Sequence, residues 1–242
     1  MLTLLRKEIN LFFSSAMAYL VIGVFLFLNS FFLWVLPDGN ILDQGYATLE
    51  QLFTIAPWVL LFLVPAITMR MFAEEQKTGT FEFLATKPIS DLQIVLAKFY
   101  AGSVLVLLSI LPTLVYFYTV YNLANPVGNM DVGATIGSYI GLLFIGCVYV
   151  AIGLYASSLT DNQIVSFILA MLMCFFFYGV STWVLGIEAL RGLQTVIAYI
   201  GLQQHYNSIS RGVVDTRDLV YFIGLISLFM VLTKTRLSLR KW

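Results

Sequence analysis

Seven stretches of this 242-residue chain contain no aspartate, glutamate, lysine or arginine, and this feature restricts the possible folds most strongly. The stretches are residues 9–37, 51–69, 99–130, 132–160, 162–187, 192–210 and 219–233. A helix needs roughly 20 predominantly apolar residues to cross the hydrocarbon core of a bilayer. Only 11% of the residues are charged, against about 25% in soluble domains. The chain is therefore predicted to be a polytopic membrane protein. This excludes cytosolic enzymes, nucleic-acid binders, disordered proteins and disulfide-stapled secreted domains.

Six spans are predicted, at residues 17–36, 52–71, 95–122, 133–156, 163–185 and 216–235. The stretch 192–210 is left out, because its apolar part covers only about ten residues, too few to cross. We interpret residues 186–215 as an outer re-entrant or interfacial segment. Asp215 as N-cap, with Asp218 in the first turn, is expected to begin the last span. The expected fold is all-α with six transmembrane helices.

The basic residues predict the orientation of the spans. With six spans, ten of the thirteen lysines and arginines lie at one end of the bundle. They are Arg6, Lys7, Arg70, Lys77, Lys87, Lys98, Lys234, Arg236, Arg240 and Lys241. The loops at the opposite end, 38–51 and 123–132, contain acidic residues and no basic ones. Because basic loops stay on the cytoplasmic side, both termini are expected in the cytoplasm.

Residues 1–15 are predicted to form an amphipathic helix in the cytoplasmic interface. At 100° per residue an apolar face and a polar face separate, and Glu8 fits neither pattern. The apolar face contains Met1, Leu2, Leu5, Ile9, Phe12 and Phe13, and the polar face contains Thr3, Arg6, Lys7, Asn10 and Ser14. The alternative is that this segment is simply the start of the first span.

Two helix starts at the cytoplasmic end show capping-box spacing. Ser90 precedes Gln93 by three residues, and Thr160 precedes Gln163 in the same way. In such a box each side chain bonds the other residue's backbone N–H. Helices are therefore predicted to begin at Ser90 and at Thr160.

The cytoplasmic loop at 73–91 combines charged and aromatic residues around a glycine. A turn at 77–80 is predicted to separate two short helical pieces. The candidate contact residues are Glu74, Glu75, Lys77, Gly79, Thr80, Phe81, Glu82, Leu84, Pro88 and Ser90. Such a loop could dock a partner and push on the flanking spans, or it could be a solvated loop. Glu82 in particular could form a salt bridge with Lys77 or Lys87 within the loop.

The string EEQKTGTFEFLATKPIS in this loop resembles the cytoplasmic signature of ABC-2 type permeases. In that family an E-x-x-x-G-T-x-E-x-L-x-x-x-P-x-S run forms a coupling helix that docks into an ATPase subunit. The matching residues are Glu75, Gly79, Thr80, Glu82, Leu84, Pro88 and Ser90. The resemblance implies that Glu75 and Glu82 are polar contacts to the ATPase. Phe81, Phe83 and Leu84 would be the apolar anchors.

The resemblance extends over most of the chain. The start LRKEINLFFSSAMAYLVIGVFLFLNSFF resembles the connecting helix and first span of the family. The string SISRGVVDTRDLVYF is similar to the entry of the last span in gliding-motility-associated permeases and their copper-processing relatives. The resemblance implies a half-transporter in a bacterial inner membrane, two cytoplasmic ATPase subunits that bind ATP and magnesium, and a second permease subunit. In the gliding group that second permease carries a large extracytoplasmic domain.

The chain is not expected to be an enzyme. It has no G-x-x-x-x-G-K-[ST] motif, so ATP hydrolysis is assigned to the partner. His205 is the only histidine, which argues against a multi-histidine metal site, and it is predicted to be a polar residue of the outer surface. Cys147 and Cys174 are expected to be buried thiols, and the Gly137-x-x-x-Gly141 pattern permits a close helix contact.

Three functional readings follow from the sequence. The first is the permease subunit of an ATP-driven ABC-2 transporter, coupled to a separate ATPase in a gliding-motility-associated system. The second is a membrane anchor or assembly subunit of an envelope machine without a transported small substrate. The third, an intramembrane enzyme or cofactor subunit, is disfavoured by the missing histidine clusters and the missing mid-span acids.

Overall fold

A computed structural model describes residues 1–36, 40–80, 89–180, 199–213 and 215–239. The regular elements in this part of the chain are helices. In chain order they are α1 (Leu2–Ser14), α2 (Ala16–Trp34), α3 (Ile41–Gln44), α4 (Glu50–Lys77), α5 (Asp91–Ile110), α6 (Leu114–Leu123), α7 (Val132–Leu159), α8 (Gln163–Phe175), α9 (Leu202–Ile209) and α10 (Thr216–Ser238). A 3₁₀ turn, Leu111–Thr113, joins α5 to α6, and a π-helical turn, Phe176–Val180, continues α8.

Five helices are long and apolar enough to cross a membrane. They are α2, α4, the continuous α5–α6 pair, α7 and α10. The predicted span at 163–185 is represented by α8 and its π turn as far as Val180, and residues 181–185 lie outside the described part. The structure thus supports a multi-pass, all-helical fold with five candidate spans, and the sixth span stays a prediction.

Helix α7 lies at the centre of the bundle. It packs against α4, α5, α8, α9 and α10. Of its 18-residue apolar stretch 72% is buried, against 28% of the corresponding stretches in α2 and α10. Glycines allow its neighbours to approach closely. A Cβ at Gly153 would lie 2.0 Å from the Thr68 hydroxyl of α4, and a Cβ at Gly146 would lie 2.4 Å from Val106 of α5.

The helix caps agree with the sequence at two positions and differ at a third. Ser90 and Gln93 form the predicted capping box, and Asp215 caps α10 by accepting from the Arg217 backbone N–H at 2.9 Å. The predicted start at Thr160 is wrong. Asn162 caps α8, since its side chain accepts from the Ile164 backbone N–H at 3.0 Å. Both residue types are good N-caps, and the asparagine stands directly before the first helical residue.

Helix α4 is longer than predicted. It runs without a break from Glu50 to Lys77, with Pro57 and Pro65 inside it. The short helical piece expected before Gly79 is therefore the end of the span itself. Below, "loop end" means the end of the bundle that carries residues 70–98, and "far end" means the end that carries residues 40–50 and 124–131.

Candidate functional site at the loop end

Four charged side chains form an alternating ion cluster at the loop end. Lys7 and Glu8 come from α1, Glu75 from α4 and Lys98 from α5. The Lys98 ammonium lies 3.0 Å from the Glu75 Oε1 atom and 3.3 Å from the Glu8 Oε1 atom. The Lys7 ammonium lies 3.3 Å from the same two oxygens. The cluster therefore ties the N-terminal helix to the ends of α4 and α5.

Lys98 is the buried centre of this cluster. Its side chain is 1% exposed, it donates to the Met71 carbonyl at 2.6 Å, and its ammonium lies 5.1 Å from the centre of the Phe72 ring. A buried ammonium is tolerated only when opposite charges and hydrogen bonds replace its water. Two carboxylates, one carbonyl and one aromatic ring supply this replacement.

The two lysines and two glutamates balance in charge. Burial alone would lower the pKa of Lys7, but the carboxylates of Glu8 and Glu75 together raise it. The Glu75 Oε2 atom is buried and has no hydrogen-bond partner among the described residues. Glu75 is therefore held inward by its Oε1 contacts.

The cluster explains the position of Glu8 in α1. The buried side chains of this helix are Leu4, Glu8 and Phe12, at spacings of four residues. Residues spaced by four lie on one face of a helix, so Glu8 belongs to the face that packs on the bundle. Leu2 and Leu11 remain exposed, so α1 has apolar surface that could contact the membrane interface predicted for residues 1–15.

Gly79 ends α4 through a left-handed turn. Its φ is +69°, a conformation that costs residues with a Cβ. The Thr78 backbone N–H donates to the Glu74 carbonyl at 2.9 Å, and the Gly79 N–H donates to the Gln76 carbonyl at 3.3 Å. The turn at Gly79 therefore agrees with the prediction from the sequence.

Ser157 of α7 joins α7 to the last turns of α4. Its hydroxyl oxygen accepts from the backbone N–H groups of Phe72 and Ala73, both at 3.0 Å. The same hydroxyl donates to the Met69 carbonyl at 3.1 Å. The Gln76 amide adds two contacts of 3.4 Å to the carbonyls of Ser157 and Ser158. These bonds fix the loop end of α4 to the central helix.

A protein-family model described as ABC-2 family transporter protein matches residues 17–240. The chain belongs to the ABC-2 transporter family. This confirms the predicted family and the coarser reading, a membrane permease subunit of an ABC transporter. Membership also implies a partner ATPase subunit in general. No curated protein matches the sequence significantly.

The predicted coupling residues of this ABC-2 permease divide into three groups. Glu74, Lys77, Thr80 and Ser90 are exposed at the loop end. Glu75 is directed into the ion cluster, and Gly79 shapes the turn. Phe81, Glu82, Phe83, Leu84 and Pro88 lie outside the described residues.

Sequence reasoning missed four residues of the site. Lys7, Glu8, Lys98 and Ser157 were not among the candidates, although Glu8 broke the amphipathic pattern and Lys98 stood inside a predicted span. Both were signs of a buried charge that needs a partner. The pairing itself joins residues about 90 positions apart, and periodicity within one helix carries no such information.

The far end of the permease holds the only histidine in a different environment from the one predicted. His205 Nδ1 lies 2.7 Å from the Asp218 carboxylate, and Nε2 lies 3.0 Å from the Tyr199 carbonyl. The ring stacks on Tyr221 with 3.8 Å between the centroids. The His205 side chain is 14% exposed, so it is not a free surface residue. It ties α9 to α10.

The Gly137-x-x-x-Gly141 pattern lies where α9 crosses α7. A Cβ at Gly137 would lie 2.3 Å from the Ile209 carbonyl oxygen, and a Cβ at Gly141 would lie 2.8 Å from the Tyr206 ring. The Tyr206 hydroxyl donates to the Phe53 carbonyl of α4 at 3.0 Å. The two glycines thus let α9 rest directly on the central helix.

Within the described ranges, no three histidine, cysteine, aspartate or glutamate side chains are placed to hold a metal ion. At the loop end, helix ends are joined by ion pairs and by hydrogen bonds to backbone groups, next to the described ends of the signature loop.

Proposed function

We propose that this chain is the transmembrane half of an ATP-driven ABC-2 transporter and that residues 73–91 are its ATPase dock. The loop end then faces the cytoplasm together with both termini, and the charge distribution of the chain supports this orientation. We keep the count of six spans that the charge-free stretches of the sequence predict. The permease works in a bacterial inner membrane with two ATPase subunits and a second permease.

One observation carries the coupling proposal. The two helices that flank the signature loop, α4 and α5, are joined to each other and to the bundle close to the loop. Glu75 of α4 pairs with Lys98 of α5, and Ser157 holds α4 to α7. A movement of the loop therefore cannot stay local. Closure of the ATPase dimer on ATP would displace α1, α4 and α5 together and would press α4 on the central helix.

The roles within the dock follow from exposure. Glu74, Lys77, Thr80 and Ser90 are accessible to a partner, and Glu82 with Phe81 and Leu84 adds the contacts that the family signature implies. The resemblance implies that Glu75 touches the ATPase, but its Oε1 atom already contacts two lysines. We propose that Glu75 transmits force and that Glu82 receives it.

The cellular setting follows the sequence resemblance. The strings at the N-terminus and before α10 favour a gliding-motility-associated system, in which the second permease carries a large extracytoplasmic domain. The membrane-anchor reading has the same partners but no transported substrate. It differs from transport because the rate of ATP hydrolysis need not respond to the permease.

Mild purification tests the proposal. Tagged chain is extracted from its native membrane in a gentle detergent, co-purifying proteins are identified, and ATP hydrolysis is measured. We expect a P-loop ATPase to co-purify with the native chain. We expect Glu82→Lys to lose it, because the change reverses charge at the proposed contact.

A matched control separates docking from folding. Asp161→Lys reverses an exposed acid that lies outside the dock, and it should retain the ATPase. The docking proposal is wrong if Glu82→Lys retains the ATPase at the native level while both variants remain folded. A retained ATPase whose turnover never responds to the permease would favour the anchor reading.

A further inference from the structure

A cavity of about 590 Å³ opens at the far end of the bundle. Its walls come from the N-terminal parts of α4 and α7, the helix α9, and Tyr178 from the turn after α8. Its volume falls within the range of about 300–1,000 Å³ that is typical of small-molecule sites. It lies on the opposite side of the bundle from the ion cluster.

The inner wall of the cavity is aromatic and fixed in place. Trp58 and Tyr178 pack edge to face with 5.1 Å between the ring centroids, and Phe53 and Tyr206 complete the wall. Tyr206 is anchored by its hydrogen bond to the Phe53 carbonyl. Aromatic faces attract organic cations as well as apolar groups.

The mouth of the cavity is acidic. Glu50 and Asp131 both line it and are both exposed, and neither forms an ion pair within the described residues. Asp131 uses its Oδ1 atom to accept from the Ala134 backbone N–H at 2.9 Å, which leaves Oδ2 for another donor. Arg211 is the single basic residue among the described lining, so the two carboxylates outnumber it.

A polar side chain lies in the wall of the same cavity. Gln203 lines it, and the Gln203 Oε1 atom is buried without a hydrogen-bond partner among the described residues. A buried acceptor without a donor is unfavourable. The two exposed carboxylates beside an aromatic wall suit a ligand with N–H donors, a positive charge and an apolar body.

We propose that this cavity binds a primary organic amine through Glu50 and Asp131, with its apolar body against Trp58. If the proposed function is right, the cavity faces the outside of the cell and the amine-bearing compound is a transported substrate. The binding itself depends neither on the ATPase nor on the orientation. Failure of one proposal can therefore be told from failure of the other.

Binding of 4-phenylbutylamine to the purified full-length chain tests the inference by titration calorimetry. The matched probes are 4-phenylbutanol, which lacks the charge, and 4-phenylbutyrate, which reverses it. We expect the amine to bind at least tenfold more tightly than either. We expect Glu50→Gln and Asp131→Asn to weaken amine binding about tenfold each. Asparagine remains a good N-cap, so α7 keeps its start.

Asp161→Asn is the control, because it removes an exposed acid that does not line the cavity. It should leave amine binding unchanged. Equal binding of amine and alcohol would mean simple apolar partition and would overturn the inference. Tighter binding of the carboxylate would assign the cavity to anions through Arg211 and would also overturn it. Unchanged affinity in both acid variants would do the same.

Discussion

Lys98 of α5 joins three helices, because its ammonium contacts Glu8 of α1 and Glu75 of α4. Its side chain is buried inside the bundle, and its ammonium contacts two carboxylates, a backbone carbonyl and an aromatic ring. A buried ion pair is poor evidence for net stability, but the loss of one partner leaves a charge that water cannot reach. The charge on Lys98 is therefore expected to be essential even if the pair contributes little net free energy.

Lys98→Met keeps the length of the side chain and removes its charge. We expect the free energy of unfolding to fall by about 3–5 kcal/mol, because Glu8 and Glu75 lose their buried counter-ion. Unfolding in mixed detergent micelles measures this difference. Lys234→Met, at an exposed position of α10, should change stability by less than about 0.5 kcal/mol. Equal effects of the two variants would contradict the role of the cluster.

Substitution of Gly79 and of Gly23 by alanine is expected to change the stability of the permease in opposite directions. Gly79→Ala should destabilise the permease by about 1–2 kcal/mol, because φ of +69° disfavours a Cβ. Gly23→Ala lies inside α2 with open space around the new methyl group, and alanine is the better helix former by roughly 0.5–1 kcal/mol. Thermal unfolding should move in opposite directions. A shift of the same sign and size in both would show that the turn is not constrained.

At the scale of elements, local signals were predictable and contacts between elements were not. Ser90 and Asp215 were identified as caps because a cap is written within four residues of sequence. Asn162, and not Thr160, caps α8. The prediction was wrong because two residues of good N-cap type lie two positions apart. The extension of α4 to Lys77 escaped prediction because its last turns are stabilised by α1, α5 and α7, which are distant in sequence.

The joint between α4 and α7 can be tested with two neighbouring serines. Ser157 and Ser158 are both fully buried. The hydroxyl of Ser158 donates only to the Tyr155 carbonyl of its own helix. Ser157→Ala removes an acceptor for two α4 N–H groups and should cost about 1–3 kcal/mol of unfolding free energy. Ser158→Ala should cost clearly less. The joint is refuted if the two alanine variants are equally stable.

The crossing of α9 over α7 depends on Gly137. Gly137→Ala places a methyl group 2.3 Å from the Ile209 carbonyl oxygen, so α9 must move, at a cost of about 1–3 kcal/mol. Gly133→Ala is the control in the same helix, because its nearest atom would lie at an ordinary 3.4 Å. Thermal stability should fall only in the first variant. An unchanged Gly137→Ala protein would mean that α9 does not rest on α7.

At the scale of the whole molecule, composition already identified a multi-pass membrane protein, and the family signature identified an ABC-2 permease. Charge-free windows located five of the six predicted spans, because the bilayer imposes length and apolarity on each span separately. The ion cluster and the acidic cavity both combine residues from three or more elements. Such sites form only when the helices assemble. The sequence therefore shows which residues are charged or aromatic, but not which of them lie close together in the fold.

We propose that ATP-driven movement at the loop end reaches the far end of the bundle through α4, which runs from Glu50 to Lys77. Cysteine labelling tests it in the purified complex with the ATPase, after Cys147→Ala and Cys174→Ala remove the native thiols. Thr54→Cys places a reactive thiol at an exposed position of the far-end cavity. The maleimide labelling rate is compared between the nucleotide-free and the ATP-bound complex. We expect the labelling rate to change at least threefold, and Ser157→Ala should reduce this change. Identical rates in both states, with the ATPase bound and hydrolysing, would contradict transmission to the far end.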